Sequence, residues 1–216
     1  PSELGFYDLR VPETRKAQAD LAREHGVEAF CYWHYWFGAG KRILERPFNE
    51  VLESGEPDFP FCLAWANASW TGVWYGMKDS MLLEQQYLGE EDDTRHFYSL
   101  LKAFKDPRYL RVDNKPLFFI YAPLHHPDIQ RFMGLWQQLA QSEGLDGVFF
   151  VGAVWGSEEL PNFGGTAKID PFELPAQSKL DRAISLVKQR IFGYPRRLID
   201  YDDVIHCLDQ RVLMEN

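Results

Sequence analysis

The sequence predicts an α/β fold, and within that class a (β/α)8 barrel, from three observations. Short apolar runs without polar alternation recur along the chain, amphipathic helical stretches separate them, and aromatic and hydrogen-bonding residues gather where the runs end. Continuous hydrophobicity marks strands buried on both faces, as in a parallel sheet covered by helices. Alternation of strand and helix implies right-handed crossovers, in either an open doubly wound sheet or a barrel. A barrel brings all its strand ends to one mouth. The runs here end in "WHYWF" (33–37), "WANASW" (65–70), "EQQY" (84–87), "IYAP" (120–123), "VWGS" (154–157) and "PFELP" (171–175). An open nucleotide-binding sheet would concentrate its signal in one Gly-rich turn, and neither G-x-G-x-x-G nor G-x-x-x-x-G-K-[ST] occurs.

In chain order, an amphipathic helix over 12–25 leads to the run "VEAFCYW" (27–33), and a helix over 46–54 leads to "FPFCLAW" (59–65). A weaker run, "MLLEQQY" (81–87), precedes a helix at "EEDDTRHFYSLLKAF" (90–104). There Phe97, Leu100, Leu101 and Phe104 form an i, i+3, i+4, i+7 stripe, and the opening acids suit the positive helix N-terminus. The run "KPLFFIY" (115–121) is followed by a helix over 127–144. Its stripe is Ile129, Phe132, Met133, Trp136 and Leu139, with Pro127 at the start and Gly144 past the end. The strand "DGVFFVGAV" (146–154), the unpatterned loop "GSEELPNFGGTAK" (156–168), a weaker strand "AKIDPFEL" (167–174) and helices over 180–191 and 202–213 complete the pattern.

A chain of 216 residues, 45% hydrophobic and 15% aromatic, can bury one sizeable core, so residues 1–216 read as a single domain. The formal net charge of −9 argues against a nucleic-acid or anionic-membrane partner, which would call for clustered positive charge. No run of about 18 apolar residues stands ready to span a membrane. Cys31 and Cys62 lie inside apolar runs, Cys207 lies on a helix, and no C-x-x-C occurs; buried thiols in a reducing, cytoplasmic compartment fit that pattern. The chain opens at Pro1 without an initiator methionine and reads as part of a longer protein.

Aromatic rings beside uncharged polar groups suit a sugar, whose C–H faces stack on rings while its hydroxyls seek amides and carboxylates. The strand ends supply Trp33, His34, Tyr35, Trp65, Asn67, Trp70, Tyr121 and Trp155 as substrate-binding candidates, with Trp36 and Trp74 nearby. Trp33, Trp65 and Tyr121 are expected to meet across one pocket. The competing reading packs the rings into the core and makes His34 a buried imidazole with a satisfied hydrogen bond. His125 and His126 precede Pro127 and suit a capping or solvent role, and the acids of 89–93 and 200–203 suit helix caps. No histidine has a third ligand at metal spacing, so neither metal nor cofactor is expected. Glycosyl chemistry uses two carboxyl groups. Glu84, after Met-Leu-Leu, and Glu173, in "DPFELP", are the candidates, with structural ion pairs as the alternative.

Six segments, "GFYDLR", "FCYWHYWF", "RPFNEVLESGEPDFPFCLAWAN", "LLEQQY", "AFKDPRYLRVDNKPLFFIY" and "FELP", together resemble the WbsX-like proteins of bacterial surface-polysaccharide gene clusters, which contain a domain similar to glycoside hydrolase family 99. The resemblance covers nearly the whole chain in one order. It implies a (β/α)8 barrel acting on glycans such as lipopolysaccharide O-antigen, lacking its first strand here and therefore unclosed at the edge of 27–33. It also places Ala68 where such sequences commonly carry Glu after Trp-Ala-Asn, and Asn67 and Trp70 where the distant hydrolases carry two glutamates. The family's catalytic pair therefore does not transfer to this segment. Two readings follow: an enzyme making or breaking glycosidic bonds through Glu84 and Glu173, or a non-catalytic glycan-binding barrel that has lost its carboxylate.

Overall fold

The computed structural model describes residues 4–72, 76–77, 80–154 and 160–168. Among the described residues four α-helices form where the apolar periodicity places them: α1 (Pro12–Glu24), α2 (Arg46–Ser54), α3 (Glu90–Phe104) and α4 (Ile129–Ser142). Asp128 caps α4 by accepting from the Arg131 N–H at 3.1 Å, one residue later than Pro127 suggests. Left-handed Gly144, at φ 80°, follows the end of the same helix.

Strands β1 (Phe30–His34), β2 (Phe61–Trp65), β6 (Lys115–Ile120), β7 (Phe149–Val154) and β8 (Gly165–Lys168) line up in that order, each parallel to its neighbour. The α/β class and the parallel sheet thus stand as expected. The strands succeed one another in chain order without reversal. Among the described residues β1 pairs with β2 alone.

Three expectations need correction. The run at 81–87 is not a strand of this sheet: β4 (Met81–Leu83) pairs antiparallel with β3 (Trp70–Thr71) in a separate two-stranded sheet. Met81 and Leu82 are exposed there, so the apolar run marks a surface hairpin rather than a doubly buried strand. The loop of 156–168 ends in β8, ahead of the strand expected over 167–174. Glycine makes that approach possible, because a Cβ on Gly164 would lie only 2.5 Å from the Phe149 ring. A short antiparallel β5 (Arg111–Val112) also pairs back onto β6. The remainder of 169–174 and the helices expected over 180–191 and 202–213 lie outside the described residues.

Third, burial is uneven between the two sheet faces. One face, carrying Phe61, Leu63, Trp65, Phe118, Ile120 and Phe150, is sealed by helices. Phe48 of α2 meets Tyr32 and Phe61 with ring centroids 5.3 and 5.4 Å away. Trp136 of α4 sits among Phe97, Phe118, Phe132 and Phe150, and its Nε1 donates to the Asp93 carbonyl at 3.0 Å. The opposite face carries Cys31, Trp33, Leu117, Phe119, Phe149 and Val151 and is half-open, as the alternating burial of β6 shows. No helix among the described residues is long and apolar enough to cross a membrane.

Trp136 fills the joint between α3, α4 and the two strands β6 and β7, so Trp136→Ala removes a large ring and one hydrogen bond to a buried carbonyl. Urea denaturation should show a loss of about 3–5 kcal/mol, the range for truncating a buried aromatic; a loss below about 1 kcal/mol would mean that the joint lies elsewhere.

Candidate functional site at the strand ends

Parity along the strands sorts the candidate residues. Register pairs Trp33 with Ala64 and His34 with Trp65, which places Trp33 on the open face and His34 and Trp65 on the helix-covered face. Trp33 is 50% exposed, and its ring meets Tyr121 edge-on at 5.4 Å. Ala64, between them on β2, is small enough for the two rings to lean together across it. A second pair stands beyond the strand ends, where Tyr35 meets Trp70 of β3 edge-on at 5.4 Å and stacks on Phe37 at 6.1 Å. Trp33 and Tyr35 both line a cavity of about 390 Å³ along the unpaired edge of β1, with Cys31, Leu44 and Phe48.

The helix-covered side of the same strand ends is a buried polar and aromatic layer. Trp65 is 1% exposed, and its Nε1 donates to the Trp36 carbonyl at 3.1 Å. It supports the mouth from behind and offers no face for stacking, so the expected meeting of Trp33, Trp65 and Tyr121 reduces to Trp33 with Tyr121. Asn67 is fully buried: its Oδ1 accepts from the Ala122 N–H at 2.7 Å, and its Nδ2 donates to the Ala122 carbonyl at 2.8 Å. Nδ2 also lies 3.2 Å from the Tyr87 hydroxyl, which donates to the Asn67 carbonyl. With its amide committed on both sides, Asn67 holds the mouth together and cannot reach a sugar.

His34 likewise takes the buried alternative. Its Nε2 lies 2.8 Å from Nε2 of His96, so one ring donates and the other accepts. Trp36 stacks on His96 at 4.8 Å and donates from Nε1 to Asp92 at 3.0 Å. Neither His96 nor Asp92 stands out as a site residue on sequence, yet a signal exists. Continuing the stripe of α3 backwards from Phe104, Leu100 and Phe97 brings His96, Asp93 and Asp92 onto the buried face. His126 takes the capping rather than the solvent role: its Nδ1 accepts the N–H of Asp128, the α4 cap, at 3.1 Å, and its ring is half-buried against Tyr87 at 4.5 Å behind the short 3₁₀ helix Pro123–His125. His125 is exposed.

Glu84 is exposed just past β4, and Gln86 Nε2 lies 3.4 Å from its carboxylate. The next residue is tied to the strand-end loop, since the Gln85 N–H donates to Ser69 Oγ at 2.9 Å. Glu84 thus borders the segment that carries Ala68 and Trp70. Trp74, Trp155 and Glu173 lie outside the described residues. Among the described residues no cluster of three or more His, Cys, Asp or Glu could hold a metal ion.

Burial, assisted by Arg42, holds His34 down to about 3, and burial with His34 and Arg42 holds His96 well below its ordinary value. Burial also holds His126 down to about 4, although Asp128 pulls the other way. Asp93 is pushed up to about 6 by burial and by Asp92. An unfolded histidine protonates near 6.5. Below that pH the unfolded chain binds protons on three histidines that the folded chain refuses, so stability falls as the solution is acidified. The raised Asp93 opposes this with one proton between about 6 and 4. The unfolding free energy from urea titrations should therefore drop as pH falls from about 7 to about 4.5, by up to about 1.4 kcal/mol per pH unit for each net proton. A flat profile over that range would mean that the histidines are solvated.

The model of a family described as glycosyltransferase WbsX matches residues 1–213. Two curated relatives from Xanthomonas campestris pv. campestris are both designated WxcX. That of strain ATCC 33913 is 31% identical over 219 residues, covering 100% of this chain and 30% of the relative. That of strain B100 is 37% identical over 145 residues, covering 67% of this chain and 21% of the relative. The chain therefore spans less than a third of the length of either protein. Among solved structures, the GH99 endo-alpha-mannosidase from Bacteroides thetaiotaomicron aligns with a TM-score of 0.45 and 18% identity, over 74% of this chain and 42% of that one. A glycoside hydrolase-like protein aligns with a TM-score of 0.45 and 14% identity, over 69% of this chain and 46% of that one.

Proposed function

This chain belongs to the glycosyltransferase WbsX family, and from that membership we propose that it is a carbohydrate-active protein whose open sheet face receives a glycan. The observation that carries this reading is the half-exposed Trp33 leaning on Tyr121 at the C-terminal ends of parallel strands, with Tyr35 on the adjoining loop and Trp70 at the start of β3. Such rings offer stacking faces to a sugar, while their positions are fixed by the sealed layer behind them.

The architecture that belongs to the proposal is the (β/α)8 barrel. Strands in chain order without reversal, with helices packed on one face, support reading the sheet as an arc of such a barrel, with the half-open face as its lumen. The substrate class proposed is a bacterial surface polysaccharide, and the reaction makes or breaks a glycosidic bond. Glu84 and Glu173 divide the work in this reading. One protonates the leaving oxygen and the other activates the sugar or water as a carboxylate.

A second reading, a glycan-binding barrel without catalysis, is favoured by Ala68 and by Asn67. The segment where the resemblance expects a carboxylate carries none, and its one amide is fully engaged. The test uses oligosaccharides released from bacterial surface polysaccharide, with new reducing ends and transfer products measured by mass spectrometry. On the enzyme reading, Glu84→Gln lowers kcat by about 10²–10⁴-fold with binding retained. Trp33→Ala instead weakens binding by about tenfold or more, a loss of about 1.4 kcal/mol. Unchanged turnover in Glu84→Gln would remove the catalytic role, and binding without any turnover in the unsubstituted chain would select the second reading.

A further inference from the structure

Cys31 and Cys62 face each other directly across two parallel strands, paired in the ladder of β1 and β2 and lying on the same open face. Neighbouring strands run about 4.7–4.9 Å apart, within the Cα span of about 4.4–6.8 Å that a disulfide bridges. Their environments differ. Cys31 is exposed and lines the cavity along the β1 edge beside Trp33, whereas Cys62 is buried under its neighbours. We propose that Cys31 and Cys62 form a reversible dithiol–disulfide site that takes a small organic disulfide, such as glutathione disulfide, as its oxidant.

The two thiols have unequal roles. A hydrogen bond from the Cys62 thiol holds the Cys31 thiol below its ordinary value against the opposing effect of burial, while the same partner and burial push Cys62 up. Cys31 is therefore the attacking thiolate and Cys62 the resolving thiol. In the first step Cys31 loses its proton and its sulfur bonds to one sulfur of the small disulfide. The disulfide bond breaks, and the departing thiolate takes up that proton. In the second step Cys62 loses its proton as its sulfur attacks that of Cys31. The mixed disulfide breaks, and the second small thiolate leaves and is protonated. Two protein thiols are oxidised to one disulfide, and one small disulfide is reduced to two thiols. An in-register pair on parallel strands holds its Cβ atoms close to the strand spacing, wider than a relaxed disulfide prefers, so excess small thiol reverses the reaction.

The experiment treats the folded 216-residue chain, carrying Cys207→Ser to remove the third thiol, with glutathione disulfide and reads intact mass and free thiols. The expected product has lost two hydrogens and both thiols and retains no glutathione. Adding Cys62→Ser should trap one glutathionyl group on Cys31, and adding Cys31→Ser should leave the folded chain unmodified. If a serine variant fails to fold, tryptic mapping of the oxidised Cys207→Ser chain decides instead, with peptide 24–41 joined to peptide 43–78 as the expected product. A stable glutathione adduct at Cys31 while Cys62 is present, or absence of the joined peptides, would overturn the proposal.

Discussion

Asn67 joins β2 to β6 at the point where both strands leave the sheet. The last ladder bond, from the Tyr121 N–H to the Trp65 carbonyl, is 3.0 Å long, and beyond it the Asn67 amide takes over by bonding both backbone groups of Ala122. A side-chain amide presents a donor and an acceptor side by side, so it continues the pairing where the backbone can no longer do so. Breaking it would strand buried donors and acceptors at about 1–3 kcal/mol each. The loop of 66–70, the Tyr87 hydroxyl and the segment holding Tyr121 all hang from this one group. The positions of Trp70 and Tyr121 at the mouth therefore depend on a residue that never meets the solvent.

Behind that joint the helix-covered face commits its polar atoms inward. His34 bonds His96, Trp36 bonds Asp92 and Trp65 bonds the Trp36 carbonyl, so a row of groups that could have been functional is spent on holding the strand ends rigid. Rigidity here serves the other face. Trp33 and Tyr121 keep their mutual angle because their own strands are bolted down from behind, which lowers the ordering cost of receiving a ligand. Cys31 and Cys62 sit one strand turn below on the same open face, so any chemistry at those thiols occurs next to the same ring.

The helices were legible in the sequence because their apolar stripes repeat at the helical period over two or more turns, and α2 and α3 fall where the pattern places them. The strands of the sheet were legible as apolar runs, but a run does not report what covers it. Met81–Leu83 reads like a strand core and lies on a surface hairpin, while 165–168, at the end of the unpatterned loop, shows little strand pattern and joins the sheet. The site was legible as a place more than as a list. Strand-end position picks out Trp33, His34, Trp65 and Asn67 together, and only the register separates the exposed ring from the three structural groups. His96 was hidden because a polar residue on a helix normally signals the solvent face, and its partner lies 62 positions away in sequence.

The central claim is that the open face meets the glycan while the helix-covered face only supports it. Nitrogen-15 spectra of the tryptophan indoles test this directly, with oligosaccharides from bacterial surface polysaccharide titrated into the chain and each resonance assigned by a single Trp→Phe substitution. Trp36, Trp65 and Trp136 donate their indole protons to Asp92, to the Trp36 carbonyl and to the Asp93 carbonyl, so their signals should stay in place. The Trp33 indole signal should shift on saturation. A titration that moves Trp65 or Trp136 and leaves Trp33 unmoved would contradict the assignment of faces and, with it, the proposed site.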